Sequence, residues 1–197
     1  EPVSIALHGV KRIPNLKSKT AVVIGAGMIG LLVIQALKFH GASRVIAVDL
    51  DEAKLLKAKE LGADEALLSN EETVTKIHQL TNGGAEVTIE VVGMSATLNL
   101  AIQCTSKGGS ISLIGNIEPK TEFPLQLVVT QELTLYGSCS SNGEYEEALN
   151  LIANGKIRVR ELITCIAPLS SGAEMFSKLY NSEEEMFKVI LRPDNEL

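Results

Sequence analysis

The sequence predicts an α/β fold built on a doubly wound parallel sheet of about six strands. From residue 20 to beyond residue 150, short apolar runs alternate with longer segments of helical periodicity. The runs are continuously apolar and rich in β-branched residues, which is typical of parallel strands buried on both faces. Glycine and asparagine residues separate many of these segments, as expected where strands and helices end.

Each predicted strand is a short apolar run that stops before a glycine, an aspartate or a polar turn. The third run is the weakest because it is the shortest. A turn at Gly108 and Gly109 precedes the fifth. In chain order the six strands are 20–24, 44–48, 66–68, 87–92, 110–114 and 133–136.

Each predicted helix carries apolar residues at helical spacing, and most end near a glycine or an asparagine. The opening helix has Pro2 in its first turn, where a missing backbone N–H is tolerated. Ser69 and Glu72 lie three residues apart and predict a capping box that starts the fourth helix. In chain order the helices are 1–13, 28–40, 52–61, about 70–80, 96–105, 125–130 and 144–153.

The tail of the chain departs from this rhythm. It reads as a strand over 162–167, a helix over 172–180 and a final strand over 187–191. We therefore expect a main domain over residues 1–160 and a small strand-helix-strand unit over residues 161–197.

Composition and charge argue against several kinds of protein. A net charge of −6 argues against a nucleic-acid partner, because affinity for nucleic acid depends on clustered Lys and Arg. The cysteines Cys104, Cys139 and Cys165 lack the short spacing of a zinc site and favour a reduced, cytoplasmic protein. Because the chain begins at Glu1 and has no signal-peptide pattern, we expect a piece excised from a longer protein.

One uncharged stretch, residues 21–37, approaches the length of a membrane span. Its first half contains Gly25, Gly27 and Gly30, each of which is unfavourable in the interior of a helix. A strand, a tight turn and a buried helix account for the same residues with less strain, so we expect no membrane contact.

The turn after the first strand carries the main functional signal. Residues 25–30 read Gly-Ala-Gly-Met-Ile-Gly, the pattern G-x-G-x-x-G. The pattern alone is weak, but here it follows an apolar strand and opens a helix. Asp49 ends the next strand at the spacing of a dinucleotide-binding fingerprint. The sequence therefore predicts a Rossmann-type domain that binds NAD, and a glycine-rich turn that binds nothing is the alternative.

The residues of this turn have separate physical tasks. Gly25 permits the turn, Gly27 lets a pyrophosphate approach the backbone, and Gly30 lets the helix pack closely on the strand. Met28 and Ile29 open the helix, whose free N–H groups and dipole attract an anion.

Asp49 is predicted to bind the adenosine ribose, because a carboxylate at the end of the second strand can accept hydrogen bonds from the ribose hydroxyls. The same charge would repel the 2′-phosphate of NADP, and Asp51 and Glu52 add to it. We therefore expect NAD to bind more tightly than NADP. Alternatively, Asp49 or Asp51 caps the following helix, and the two roles can coexist.

Longer stretches of sequence point to a family. The string GAGMIGLLVIQALKFHGASRVIAVDLDEAKLLKAKELGAD resembles the nucleotide-binding domain of zinc-containing medium-chain alcohol and polyol dehydrogenases, the family of sorbitol, threonine and butanediol dehydrogenases. The similarity continues through EPVSIALHGV, SLIGN, YGSCSSNGEYEEALNLIANGKI and KVIL, and so covers almost the whole chain. Collinear matches of this kind are far more specific than the glycine motif alone.

The resemblance implies further cofactor contacts. It places Lys54 at the adenosine ribose and Val91 and Gly93 along the cofactor. Near the nicotinamide it places Ile114, Gly115, Asn116, Ser138 and Cys139. Core packing, or for Lys54 a solvated helix face, is the alternative role. Glu1 matches a glutamate that approaches the catalytic zinc or its water in polyol dehydrogenases.

The resemblance also implies an activity for the intact protein. This is hydride transfer between a secondary alcohol or polyol and NAD, with zinc polarising the substrate oxygen. The family's zinc ligands, an early Cys with a His-Glu pair and a separate four-Cys lobe, are not found in this chain, so we expect NAD binding without turnover. Residues 161–197 resemble the last part of the catalytic domain. Relatives pair through a sheet edge, here 133–136 with the apolar run 125–129, which implies a homo-oligomer such as a dimer.

Two other functions are compatible with the fingerprint. A non-catalytic nucleotide-sensing module fits the lack of an acid, base or metal cluster equally well. The family-like tail and opening helix favour the dehydrogenase. A methyltransferase that uses S-adenosylmethionine is the weaker alternative, because the glycine turn suits a pyrophosphate and that ligand has none.

Overall fold

A computed structural model describes residues 1–181 and 186–193. The chain divides into two compact units, Glu1–Ile157 and Arg158–Leu197. Within the small C-terminal unit predicted over 161–197, residues 182–185 and 194–197 lie outside the described residues.

The first unit is built on one parallel sheet. Its strands are β1 (Thr20–Ile24), β2 (Arg44–Asp49), β3 (Glu65–Leu68), β4 (Ala85–Glu90), β5 (Thr105–Leu113) and β6 (Thr134–Gly137). Their spatial order is β3-β2-β1-β4-β5-β6, so the chain winds outward from β1 on one side and from β4 on the other. The predicted doubly wound fold is confirmed. Such a sheet leaves a crevice at the carboxyl ends of β1 and β4, where the winding direction changes.

The helices of this unit are α1 (Pro2–Lys11), α2 (Met28–Phe39), α3 (Glu52–Glu60), α4 (Thr73–Thr81), α5 (Ser95–Cys104), α6 (Leu125–Thr130) and α7 (Tyr145–Ala153). In the main core cluster, Ile77 of α4 and Ile102 of α5 pack with Val22 and Ile46 of the strands, all fully or almost fully buried. Outside this cluster, α2 contacts β1 and β2 and packs against α1. Burial of these apolar faces is the main stabilising contribution to the sheet and its helices.

The strand-turn-helix interpretation of residues 21–37 is confirmed, because this stretch is divided between β1, the glycine turn and α2. Across 1–181 and 186–193, no helix has the length and apolar character that a membrane crossing requires.

The predicted capping box of Ser69 and Glu72 is wrong, because α4 begins only at Thr73 and its N-cap residue makes no side-chain cap bond. A turn formed by Asn70 comes first. The backbone N–H of Glu72 donates to Asn70 Oδ1 at 2.9 Å, and the Asn70 N–H donates to Thr73 Oγ1 at 2.8 Å. The pair that starts this helix is therefore Asn70 and Thr73, one residue later than the predicted Ser69 and Glu72.

The bounds of β4 and β5 also differ from the predicted ones. β4 ends at Glu90 instead of residue 92. The Glu90 carboxylate accepts the Val92 N–H at 2.9 Å and the Gly93 N–H at 2.8 Å. These two bonds turn the chain out of the sheet. β5 begins at Thr105, not at 110, and pairs with β4 on both sides of a register shift. The predicted turn at Gly108 and Gly109 therefore lies inside β5, where its pairing with β4 is interrupted by the register shift.

The opening helix α1 lies against the carboxyl end of β5. The Ser112 hydroxyl donates to the Gly9 carbonyl at 2.8 Å. His8 Nδ1 lies 3.0 Å from a carboxylate oxygen of Glu144, which precedes α7. Burial alone would raise the pKa of Glu144, but its hydrogen bonds with His8 and with the Asn142 N–H hold that pKa below the usual value. The ionised Glu144 therefore ties α1 to the start of α7.

Strand β6 forms one edge of the sheet, because it is the last strand in the order of the described sheet and pairs with β5 on one side. Leu125 and Val129 of the preceding helix are 62% and 64% exposed. Self-association through 125–136 stays a prediction. A strict monomer in sedimentation would contradict it.

The second unit contains a parallel pair of strands, β7 (Ile163–Pro168) and β8 (Lys188–Arg192), and a helix, α8 (Gly172–Asn181). Met175 of α8 is buried, and its sulfur lies 3.9 Å from the Cys165 thiol. The predicted strand-helix-strand arrangement of the tail is present, with each element displaced by no more than one residue at each end.

Candidate functional site

The turn between β1 and α2 brings the backbone into a shape that side chains would prevent. Gly25 has φ +101°, in the left-handed region that glycine adopts readily. A Cβ on Gly30 would lie 1.9 Å from the Gly25 carbonyl oxygen, whereas a Cβ on Gly27 would meet no atom within 4 Å. Gly25 thus has the conformation predicted for the turn, and close packing of α2 on β1 through Gly30 stays a prediction. Gly27 instead borders open space, which is where a ligand could approach.

The start of α2 provides hydrogen-bond donors for an anion. Gly27 is the N-cap residue of α2, and no side-chain cap bond is made there. The first N–H groups of a helix have no partner within the helix, and the helix dipole is positive at this end. Met28 and Ile29 lie in this first turn and border the same cavity as Gly27. The turn is therefore suited to a phosphate group.

Asp49, at the end of β2, faces the glycine turn. Its Oδ2 accepts the Ala26 N–H at 2.6 Å, and its Oδ1 accepts the Asp51 N–H at 3.1 Å. Asp51, by contrast, caps α3, since its Oδ1 accepts the Ala53 N–H at 2.9 Å. The capping role therefore falls on Asp51, and ribose binding by Asp49 stays a prediction. Asp49 supports the turn and keeps acceptor capacity for a ligand.

A cavity of about 550 Å³ lies beside the glycine turn, at the carboxyl ends of β1, β2 and β4. Of the residues predicted to bind cofactor, those that line it are Gly25, Gly27, Met28, Ile29, Gly30, Asp49, Lys54 and Val91. Lys54 also approaches Asp51, with Nζ 3.9 Å from a carboxylate oxygen. We call this the first cavity.

A second cavity of about 740 Å³ lies beyond it, at the carboxyl ends of β5 and β6. The predicted residues that line it are Ile29, Val91, Ile114, Gly115, Asn116, Ser138 and Cys139. Ile29 and Val91 line both cavities, so the two adjoin. Cys139 is exposed, unlike Cys104, whose burial raises its pKa to about 12 and keeps its thiol neutral.

Gly93 is the predicted cofactor residue that borders neither cavity. It has φ +86°, and a Cβ on it would lie 2.1 Å from the Asn116 nitrogen. Its N–H donates to the Glu90 carboxylate, which is almost fully buried at the end of β4. Gly93 therefore lets two loops cross closely, and direct contact with a cofactor stays a prediction for it.

Several lining residues were missed by the sequence reasoning. Those of the first cavity are Ile24, Val48, Leu50, Ser69, Val92, Met94, Ala96, Thr97, Leu100 and Ile117, and the second adds Ile5, Leu113, Gly137 and Ser140. Many of them follow β4, which is the neighbour of β1 in the sheet. The predicted doubly wound topology could have indicated the region after β4, but no sequence motif marks it.

The part of the chain that the structure describes holds no group of three or more His, Cys, Asp or Glu residues that could bind a metal ion. Glu1, the predicted zinc neighbour, is exposed, and its carbonyl accepts the Ser4 hydroxyl at 2.7 Å and the Ile5 N–H at 3.1 Å. These residues do not by themselves fit zinc.

Comparison with known proteins gives consistent matches. A profile of the zinc-binding dehydrogenase family matches residues 29–154. Sorbitol dehydrogenase of Bos taurus is 34% identical over 180 residues, 89% of this chain and 51% of that protein. The crystal structure of 2R,3R-butanediol dehydrogenase from Bacillus subtilis has a TM-score of 0.89 and 32% identity, over 98% of this chain and 56% of that chain.

A third match concerns the cofactor. The structure of a protein described as a zinc-binding dehydrogenase from Sinorhizobium meliloti, bound to NADP, has a TM-score of 0.88 at 25% identity. The match covers 98% of this chain and 58% of that one. The chain thus spans about half the length of these relatives.

Proposed function

Because the chain belongs to the zinc-binding dehydrogenase family, we propose that it binds NAD across the carboxyl ends of its sheet strands. The observation that carries this proposal is the open space at Gly27, at the start of a helix without a side-chain cap and beside the Asp49 carboxylate. A phosphate needs the first two features and a ribose needs the third.

The residues of the two adjoining cavities divide the recognition among themselves. The Gly25 and Ala26 N–H groups already donate to Val48 and Asp49, so the N–H groups at the start of α2 would hold the diphosphate. Asp49 would accept hydrogen bonds from the adenosine ribose. Apolar residues of the first cavity such as Leu50 and Leu100 suit the adenine face. The second cavity, lined by Ile114 and Cys139, would receive the nicotinamide. When bound, the nicotinamide supplies a site for hydride transfer.

NAD is proposed over NADP because the carboxylate of Asp49 would repel a 2′-phosphate at the ribose. The relative bound to NADP shows that a protein with this fold can hold the phosphorylated form. The preference therefore has to come from individual residues at the end of β2, where Asp49 is the charged residue that borders the first cavity.

We expect Asp49→Ala to weaken NAD binding by about tenfold, the loss of about one charge-assisted hydrogen bond. NADP binding should weaken less or improve. Calorimetric titration of the unmodified chain and the variant with both cofactors measures this. Asp49→Asn is the matched variant, since it removes the charge and keeps one oxygen that can accept the Ala26 N–H. Equal affinities for NAD and NADP in the unmodified chain would contradict the role of Asp49.

For the whole protein we propose hydride transfer between NAD and a secondary alcohol or polyol, with zinc held by residues outside those described. This chain by itself is proposed to bind the cofactor without turning it over, since its described residues hold no metal cluster. Incubation with NAD, zinc and a panel of polyols should give no NADH. Alcohol-dependent absorbance of NADH would contradict that expectation.

A nucleotide-sensing module without catalysis remains the alternative function, favoured by the same lack of a metal cluster among the described residues. The family match favours the dehydrogenase. A cytoplasmic location is part of the proposal, supported by three unpaired cysteines, as is usual in a reducing compartment. Cell fractionation with detection of the protein outside the cytoplasm would contradict it.

A further inference from the structure

The connection between β5 and α6, residues 114–124, passes over the junction of the two cavities. Four residues line both cavities: Ile29, Val91, Val92 and Ile117. Ile29 belongs to the first turn of α2, and the two valines directly follow β4. Ile117 alone of the four lies on the connection, and it is 68% exposed. Its position therefore depends on what holds the connection.

Hydrogen bonds to the start of α5 hold this connection in place. Glu118 Oε2 accepts both the N–H and the hydroxyl of Ser95, each at 2.8 Å. The Glu118 N–H donates to the Gly93 carbonyl at 2.8 Å. Farther along, the Asn99 side-chain amide donates to the Glu122 carbonyl at 2.8 Å, and the Glu122 N–H donates to Ser95 Oγ at 3.1 Å. Glu118, the residue next to Ile117, is thus fixed at both its backbone and its side chain.

The interaction of Glu118 with Ser95 is favourable for two physical reasons. Ser95 is the first residue of α5, so its N–H has no partner within the helix and lies at the positive end of the helix dipole. A carboxylate accepting two hydrogen bonds also binds more strongly than a neutral acceptor. The bond from the Ser95 hydroxyl, and to a smaller extent the bond from its N–H, lower the pKa of Glu118.

We propose that Glu118 is a positioning residue that holds Ile117 at the junction of the two cavities, so that binding of a ligand that spans both cavities depends on it. This inference rests on the proposed binding of NAD. A ligand confined to the first cavity, such as AMP, should depend on Glu118 much less, because it does not cross the junction.

Titration calorimetry with NAD and with AMP tests the proposal on the full chain. Glu118→Ala should weaken NAD binding by about tenfold and AMP binding by about twofold or less. Glu118→Gln keeps an oxygen that accepts the Ser95 donors, so it should bind NAD nearly as well as the unmodified chain. Glu72→Ala removes an exposed carboxylate paired with Lys76, away from both cavities, and serves as the matched control. Unfolding midpoints of all variants identify any loss of fold.

A double-mutant cycle separates positioning from a direct effect of charge. If Glu118 acts through Ile117, the variant Ile117→Ala with Glu118→Ala should bind NAD no more weakly than Ile117→Ala alone. Additive losses would overturn the proposal, as would unchanged NAD binding by Glu118→Ala or equal losses for NAD and AMP. No NAD binding by the unmodified chain would overturn the proposed function itself, and this inference with it.

Discussion

Replacement of Gly27 by valine should abolish NAD binding while the chain stays folded. The expected loss of affinity is about a hundredfold or more, which corresponds to about 2.7 kcal/mol. The physical reason is that a Cβ here would meet no protein atom within 4 Å, so the side chain would extend into the space that a diphosphate would need. Few substitutions separate binding from folding so cleanly.

The fold should tolerate this substitution because nothing in the backbone at Gly27 requires glycine. Its φ of −69° and ψ of −172° lie in the extended region that valine adopts readily. Valine is a poorer N-cap residue than glycine, which costs about 1 kcal/mol at most. That cost is small compared with the effect on binding, so the two can be distinguished.

Calorimetric titration with NAD and a urea unfolding curve measure the two quantities on the same preparation. Gly83→Val is unsuitable as a control because Gly83 has φ +110°, which strains any other residue. Gly27→Ala is the matched variant, and it should lose affinity by a smaller factor than Gly27→Val. Full NAD affinity in a folded Gly27→Val chain would show that the cofactor does not bind at this turn.

The parts of the fold that were predicted from the sequence are those fixed by local patterns. Strand β1 has the predicted bounds, because a β-branched run ends directly at a glycine that turns the chain. The sequence could not show that residues 106–109 belong to β5, because the strand continues before the two glycines only through the pairing of Thr105 with Ala85. Such a pairing depends on a distant segment, which a local pattern does not contain.

The candidate site follows the same division. The glycine turn and Asp49 were predicted because the fingerprint fixes their spacing along the chain. The separate roles of Asp49 and Asp51 depend on which carboxylate faces Ala26, and the sequence leaves that open. Ile117 was missed because it lies on a loop whose neighbouring residue, Glu118, bonds to Ser95, which is distant in sequence. Contacts between loops that are distant in sequence leave no periodic signal.

Replacement of Gly30 by alanine should destabilise the first unit by about 3 kcal/mol, the upper part of the range for an overpacked site. Two opposing effects decide the result. Alanine is favoured over glycine in a helix by about 1 kcal/mol. Against this, the added Cβ would lie 1.9 Å from the Gly25 carbonyl oxygen and 2.9 Å from its carbon, both backbone atoms.

The clash at Gly30 should win because Gly25 cannot move away easily. Its N–H donates to the Val48 carbonyl at 2.8 Å, which fixes it to β2, and its φ of +101° restricts it further. Urea unfolding of Gly30→Ala measures the loss, and Gly27→Ala adds the same methyl group where no atom lies within 4 Å. A Gly30→Ala chain as stable as Gly27→Ala, or more stable, would mean that the turn yields and that close packing of α2 on β1 does not require glycine there.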